Sequence, residues 1–241
     1  MNINLSHELR TPLNGILGSL QLILDGTVDE PQEQLVFIQD AYYSALHLFN
    51  VIKDLLDIAQ IAAGKMELPL GAIRLDELLK QVEELTQPKA EQKHLRFSVA
   101  KPSRFTNVIL YGNYQRLLQV MLNLVSNAIK FTHEGGLSIS VEVVKQTLCF
   151  NDRKFPGLVK FQVVDTGIGV PLEEQEKLFA SFSKVEGYWN YQQGNSGLGL
   201  TVSYKLVEVM GGEMSFYSAG KGLGFTVTFT VPLYFYIELF A

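Results

Sequence analysis

The sequence predicts an α+β chain, in which an antiparallel helical hairpin precedes a layered α/β unit, and three observations carry that reading. Before residue 65 the apolar side chains fall in rows spaced four and three apart, the signature of packed helices. After residue 74 the period changes, and alternating runs such as Leu137–Val144 are interleaved with amphipathic helices, as in a mixed sheet with helices layered on one face. With 47% hydrophobic and 19% charged residues among 241, the composition is that of folded domains rather than disorder.

The first helix is expected over about Asn2–Leu24, with Leu9, Leu13, Ile16, Leu20 and Ile23 as its apolar row, and Asp25-Gly26-Thr27 as its stop. A second helix follows Pro31 with the row Leu35, Ile38, Tyr42, Ala45, Phe49, Ile52, Leu56 and Ala59. One hairpin offers too little apolar partner surface, so a second copy completing a four-helix bundle is expected, that is, a homodimer. The chain begins only six residues before His7, abrupt for a helix whose apolar row is already running, so a piece of a longer protein is expected. Residues 1–65 form the first domain in this reading, 66–74 a linker with one short extended piece, 75–233 the second domain and 234–241 an apolar tail, either packed on that domain or cut off from what followed. Within the second domain, helices are expected at Leu75–Lys93, Asn113–Phe131 and Ser203–Met210. Strands are expected at Leu95–Ala100, Leu137–Val144, Val159–Val164, Met214–Tyr217 and Phe225–Val231, with a polar loop over Gln146–Pro156.

Charge and cysteine content narrow the function. A net charge of −5 argues against nucleic acid as a partner. The single cysteine, Cys149, excludes an internal disulfide and fits a reducing, cytoplasmic compartment. No apolar run is long enough to cross a bilayer, so no membrane contact is expected of this stretch, although a parent protein could carry an anchor elsewhere.

Five stretches look chemical. In Ser6-His7-Glu8-Leu9-Arg10-Thr11-Pro12-Leu13, His7 lies off the apolar row and Glu8 stands beside it. A neighbouring carboxylate can hold one ring nitrogen and leave the other nucleophilic. Pro12 has no N–H for the carbonyl of Glu8 and should loosen that turn. Asn123 and Asn127 share a helix face with Lys130, a set suited to an oxygen-coordinated magnesium and its phosphates. Asp165-Thr166-Gly167-Ile168-Gly169 follows an apolar strand, where an acidic group can accept from an exocyclic amine and glycines permit close backbone approach. Phe179 and Phe182 make an aromatic pair. Gly194–Leu200 leads into a helix whose N-terminus suits an anion, and the polar stretch Ser183–Gln193 reads as a lid.

In this order the five stretches closely resemble the sensor histidine kinases of two-component signalling, over almost the whole chain. His7–Leu13 resembles the phosphoacceptor box of that family and Asn123–Phe131 its asparagine box. Asp165–Gly169 and Gly194–Leu200 resemble its two glycine boxes, and Phe179–Phe182 its phenylalanine box. The neighbourhood is also similar to the hybrid kinases, though no receiver domain is visible here. The resemblance implies a dimeric hairpin joined to an α/β sandwich of the type shared by gyrase, the mismatch-repair ATPase and the ninety-kilodalton chaperone. It implies ATP and Mg2+ as cofactors and a response regulator receiver domain as partner, with His7 passing a phosphoryl group to a regulator aspartate.

By the matched positions Glu8 would act as general base, and Asn127, helped by Asn123, would hold magnesium. Lys130 would meet the phosphates and Asp165 the adenine amine. Gly197 and Gly199 would contact the phosphate chain, with Gly167, Gly169, Phe182 and Leu198 completing the nucleotide site. Thr11 stands where the family positions water for dephosphorylating the regulator, and Lys184 near a basic lid position. The chain departs from the family pattern at Asn113, where an aspartate is common, at Asn195, where a glycine is common, and at Phe225, where a small hydroxyl residue is common. Two other readings compete. A nucleotide-binding scaffold without transfer is opposed by the presence of both His7 and Asn127. An ATP hydrolase would want a glutamate on the asparagine helix, where this chain has Asn123.

Overall fold

The computed structural model describes residues 3–102, 105–176 and 198–238, with side chains from Leu9 onward. Two compact units emerge, a helical hairpin ending at Met66 and an α/β unit starting at Glu67.

The hairpin consists of α1 (Ile3–Leu24) and α2 (Pro31–Ala62). Gly26, in the left-handed region, ends α1, and Pro31 opens α2 at a position where a missing N–H costs nothing. Both helices are continuous, and α1 runs through Pro12, which is buried. They meet at Gly15, where an added Cβ would stand 2.8 Å from Ser44 Oγ.

The packing of α2 corrects the sequence reading. Its expected row, Leu35 to Ala59, is exposed along its whole length. The covered row is a second heptad interleaved with it: Ala41, Val51 and Ile58 are buried, and Phe37, Ser44, Leu48 and Leu55 half-buried. On α1 the expected row divides, with Leu9, Ile16 and Ile23 half-buried and Leu13 and Leu20 exposed. A helix with two apolar rows presents two faces that need cover, and a single hairpin supplies cover for one.

The α/β unit is built on a seven-stranded mixed sheet. Its strands are β1 (Gly71–Arg74), β2 (Arg96–Ala100), β3 (Phe105–Gly112), β4 (Gly136–Val144), β7 (Gly157–Asp165), β8 (Met214–Tyr217) and β9 (Phe225–Glu238). The order is β1-β3-β9-β7-β4-β2, with β8 on the N-terminal half of β9; β2 and β4 are parallel and every other pairing is antiparallel. The sheet is accompanied by helices α3 (Leu75–Gln92), α4 (Tyr114–Phe131) and α5 (Leu198–Val209). The alternation of β7 and β9 sends Val159, Phe161 and Val163, and Val227, Phe229 and Val231, into the core, while the residues between them are half-buried. Phe161 and Phe229 are register partners and stack at 4.8 Å, both fully buried.

Several elements depart from expectation. Strand β3 was not foreseen, the polar loop 146–156 carries a small hairpin of β5 (Leu148–Phe150) and β6 (Arg153–Phe155), and α5 begins five residues earlier than Ser203. The short extended piece expected within the linker is strand β1, paired with β3. Residues 234–238 of the expected tail prolong β9, where Phe235, Ile237 and Glu238 pair with β3. Asn113 caps α4, with Oδ1 accepting from the Arg116 N–H at 3.1 Å, while its Nδ2 donates to the Pro69 carbonyl at 3.0 Å. An aspartate could make the first bond but not the second, which gives this departure from the family pattern a structural reason.

Candidate nucleotide-binding site

Helix α4 turns Leu117, Val120, Met121, Leu124, Val125 and Ala128 into the core, which leaves Asn123, Asn127 and Lys130 half-buried along its border. Asn123 Nδ2 donates to Ser203 Oγ of α5 at 2.9 Å, so this amide also ties two helices together. Burial, and then the charge of Lys93, hold the Lys130 ammonium below the usual lysine range. A lysine in that condition gains most from an anionic partner.

The second wall is the turn after β7. Asp165 ends the strand buried, and its Oδ1 accepts from the Gly167 N–H at 2.8 Å and the Phe225 N–H at 3.2 Å. Burial raises its carboxyl above the ordinary aspartate range, against the pull of those two donors. The contact at Phe225 is made by the backbone N–H, so any residue but proline could supply it, and the departure from a small hydroxyl residue leaves this bond intact.

The glycines of the turn serve the chain's own backbone. A Cβ on Gly167 would collide with the Phe131 carbonyl at the end of α4, and one on Gly169, where φ is +60°, with the carbonyl of Gly220. Ile168 N–H donates to that Phe131 carbonyl at 3.1 Å, closing the turn onto the asparagine helix. The sequence reading gave these glycines to a ligand's approach, whereas in the structure their first role is this packing of backbone on backbone.

Two further residues, to which the sequence reading gave no role, lock the same corner. The Ser218 hydroxyl is buried, accepts from the Val170 N–H at 3.0 Å and donates to the Gly224 carbonyl at 2.7 Å. Thr166 Oγ1 accepts from the Gly136 N–H at 3.0 Å, joining the turn to β4. A glycine-rich run after a strand, Gly220 to Gly224, was the available signal for the first of these. The aromatic row Tyr204, Phe216 and Phe225 continues from the Asp165 corner, with centroids 6.5 and 6.1 Å apart.

The structure thus sets the turn Asp165–Gly169 against the C-terminal end of α4, the helix that carries Asn123, Asn127 and Lys130. Leu198 and Gly199 open α5. Gly197, Phe182, Lys184, Asn195 and the expected lid lie outside the described residues. His7, Glu8 and Thr11 are on α1 of the other unit; Thr11 is exposed, and the side chains of His7 and Glu8 lie outside the described set. Among the described residues no cluster of three or more His, Cys, Asp or Glu could hold a metal. A neutral amide such as Asn127 still fits magnesium in this corner, because that ion commonly takes its negative ligands from substrate phosphates.

These features define a class, an α/β sandwich with a nucleotide corner preceded by a helical hairpin, and comparison with known proteins makes it specific. Residues 112–234 match the model of the histidine kinase-, DNA gyrase B- and HSP90-like ATPases, and residues 2–64 that of the His kinase A phospho-acceptor domain. The chain belongs to the histidine kinase family.

It is 34% identical over 227 residues, 94% of its length, to hybrid signal transduction histidine kinase B of Dictyostelium discoideum, covering 11% of that protein. It is 36% identical over 230 residues, 95% of its length, to the sensor protein GacS of Pseudomonas syringae, covering 24% of it. The chain therefore spans about a tenth and a quarter of these two relatives. Among solved structures, full-length ShkA in complex with AMPPNP matches with a TM-score of 0.64 at 30% identity, over 98% of this chain and 46% of that one.

Proposed function

We propose that this chain is the catalytic core of an ATP-dependent protein histidine kinase. In this reading it transfers the γ-phosphoryl group of ATP to His7 and then to an aspartate on the receiver domain of a response regulator. The single observation that carries the reading is the pairing, in one chain, of a phospho-acceptor hairpin holding His7 with an ATPase-type corner holding Asn127, Lys130 and Asp165.

Asp165 reads the base amine, and Lys130 spreads the charge of the transferred group, which phosphoryl transfer needs more than covalent help. Magnesium, held by Asn127 with Asn123 beside it, would supply Lewis-acid neutralisation of the phosphates. An unprotonated ring nitrogen of His7 attacks the γ-phosphorus; the bond to the β-phosphate oxygen breaks, and ADP leaves. Glu8 accepts a hydrogen bond from the other ring N–H and, as general base, takes that proton as positive charge develops on the ring. A carboxylate of the regulator then displaces the imidazole. Thr11, one turn beyond His7 and exposed, is the residue on which a reverse, water-consuming removal of phosphoryl from the regulator would rest.

The uncovered row of α2 supports a homodimer, in which a second hairpin closes a four-helix bundle. Swinging of the α/β unit on residues 66–70 brings nucleotide and His7 together; rigid shortening of that span should slow transfer, and unchanged autophosphorylation would oppose the swing. No helix among the described residues is long and apolar enough to cross a membrane. The proposed seat of the reaction is the cytoplasm, whether or not a parent protein is anchored in a membrane.

Incubation with γ-labelled ATP and magnesium tests the proposal. Label on the parent chain that is stable in alkali and lost in acid, and absent from His7→Gln and Asn127→Ala, is the expected result. Label that persists in His7→Gln would overturn it.

A further inference from the structure

The last helical bond of α4 runs from the Thr132 N–H to the Ala128 carbonyl, so the carbonyls of Ile129, Lys130 and Phe131 have no partner inside the helix. Each is met from another element. Phe131 O takes the Ile168 N–H at 3.1 Å, from the turn that carries Asp165. Ile129 O and Lys130 O both take the ammonium of Lys93, at 2.9 and 3.1 Å. Lys93 is itself the C-cap of α3, its N–H donating to Ala90 O. One residue thus ends one helix with its backbone and another with its side chain. The second contact is charge-assisted and sits on the negative end of α4.

From this geometry we infer that Lys93 is a positioning residue of the nucleotide site: it fixes the end of α4, and with it Lys130 and Asn127, against the base-binding turn. The inference rests on the proposed nucleotide site. Three things support it. The bridge lands on the carbonyl of Lys130 itself, the group assigned to the phosphates. The neighbouring carbonyl, Phe131 O, is bound by the base-binding turn, so phosphate end and base end share one short piece of backbone. And Lys93 places a second positive charge beside Lys130, which the triphosphate compensates once it arrives. Lys93 is itself exposed, so water replaces its ammonium when it is removed and the fold survives the loss.

The test compares the full chain with Lys93→Met and Lys93→Arg, each checked by thermal melting, using Mg-ATP and adenosine as probes in titration calorimetry. Lys93→Met is expected to keep a parent-like melt and adenosine binding while weakening Mg-ATP by about tenfold, the size of one charge-assisted contact. Lys93→Arg, whose guanidinium can also span two carbonyls, restores most of that loss. Unchanged Mg-ATP affinity in Lys93→Met, or an equal loss for adenosine, overturns the inference. A parent chain that binds neither probe overturns instead the nucleotide reading beneath it.

Discussion

Phe49 and Leu56 on the hairpin stand 65% and 58% exposed, whereas Leu78, Leu117 and Phe229 in the α/β unit are fully buried. Both regions are equally apolar in sequence, so the difference lies in geometry. A sheet covered by helices can shield its inner side chains within one chain. Two antiparallel helices cannot, since each shields only the row turned toward the other. The α/β unit therefore has a complete core, and the hairpin has half of one. The incomplete region is also the one that carries His7, so in this account assembly and the reactive residue are placed on the same element.

Core truncation separates the two regions most strongly. Phe229→Ala removes a stacked, fully buried ring and should destabilise the α/β unit by about 3–5 kcal/mol in urea denaturation. Phe49→Ala should leave the stability of the isolated hairpin almost unchanged. Its effect should appear in association, and Ile38→Lys with Phe49→Lys should convert a dimer to monomer in sedimentation while Mg-ATP binding to the α/β unit persists. Loss of nucleotide binding in that variant would mean the two regions do not divide the work in this way.

Within the complete region, Gly169→Ala is expected to cost about 1–3 kcal/mol, because its positive φ and its packing on Gly220 both disfavour a Cβ. Asp165→Asn keeps an oxygen for the Gly167 and Phe225 N–H groups but loses the charge offered to the base amine, a change of about 2 kcal/mol in ATP affinity. Since burial raises the Asp165 carboxyl, parent affinity should decline on acidification at a higher pH than an ordinary aspartate would give, and Asp165→Asn should lack that decline.

A pH effect belongs to the hairpin. Burial, and then the charge of Asp57, push Asp54 up to about 6 from 3.8. Its folded state holds the proton more tightly than its unfolded state. Hairpin stability is therefore greatest below pH 4 on this account and falls as pH rises toward 6. Asp54→Asn should remove that slope in melts taken across the range.

The sequence made the strongly periodic elements legible, and the nucleotide corner with them: the apolar row of α4 determines where Asn123, Asn127 and Lys130 must stand. Strand β3 was hidden because Asn107 sits in the left-handed region and the pairing with β9 slips around Ile109, which breaks the alternation that marks a strand. The covered row of α2 was hidden because two heptads of similar apolar content interleave, and spacing does not say which one meets α1. Ser218 and Lys93 act across the fold, 48 residues from Val170 and 36 from Ile129, so their bonds follow from topology and leave no local pattern.

The most direct test of the central claim is to locate the phosphoryl group. After incubation of the purified protein with Mg-ATP, mass spectrometry at neutral to alkaline pH should find phosphate on His7, and a receiver domain added afterwards should remove it. A dimer that holds Mg-ATP and carries no phosphate on His7 would contradict the account.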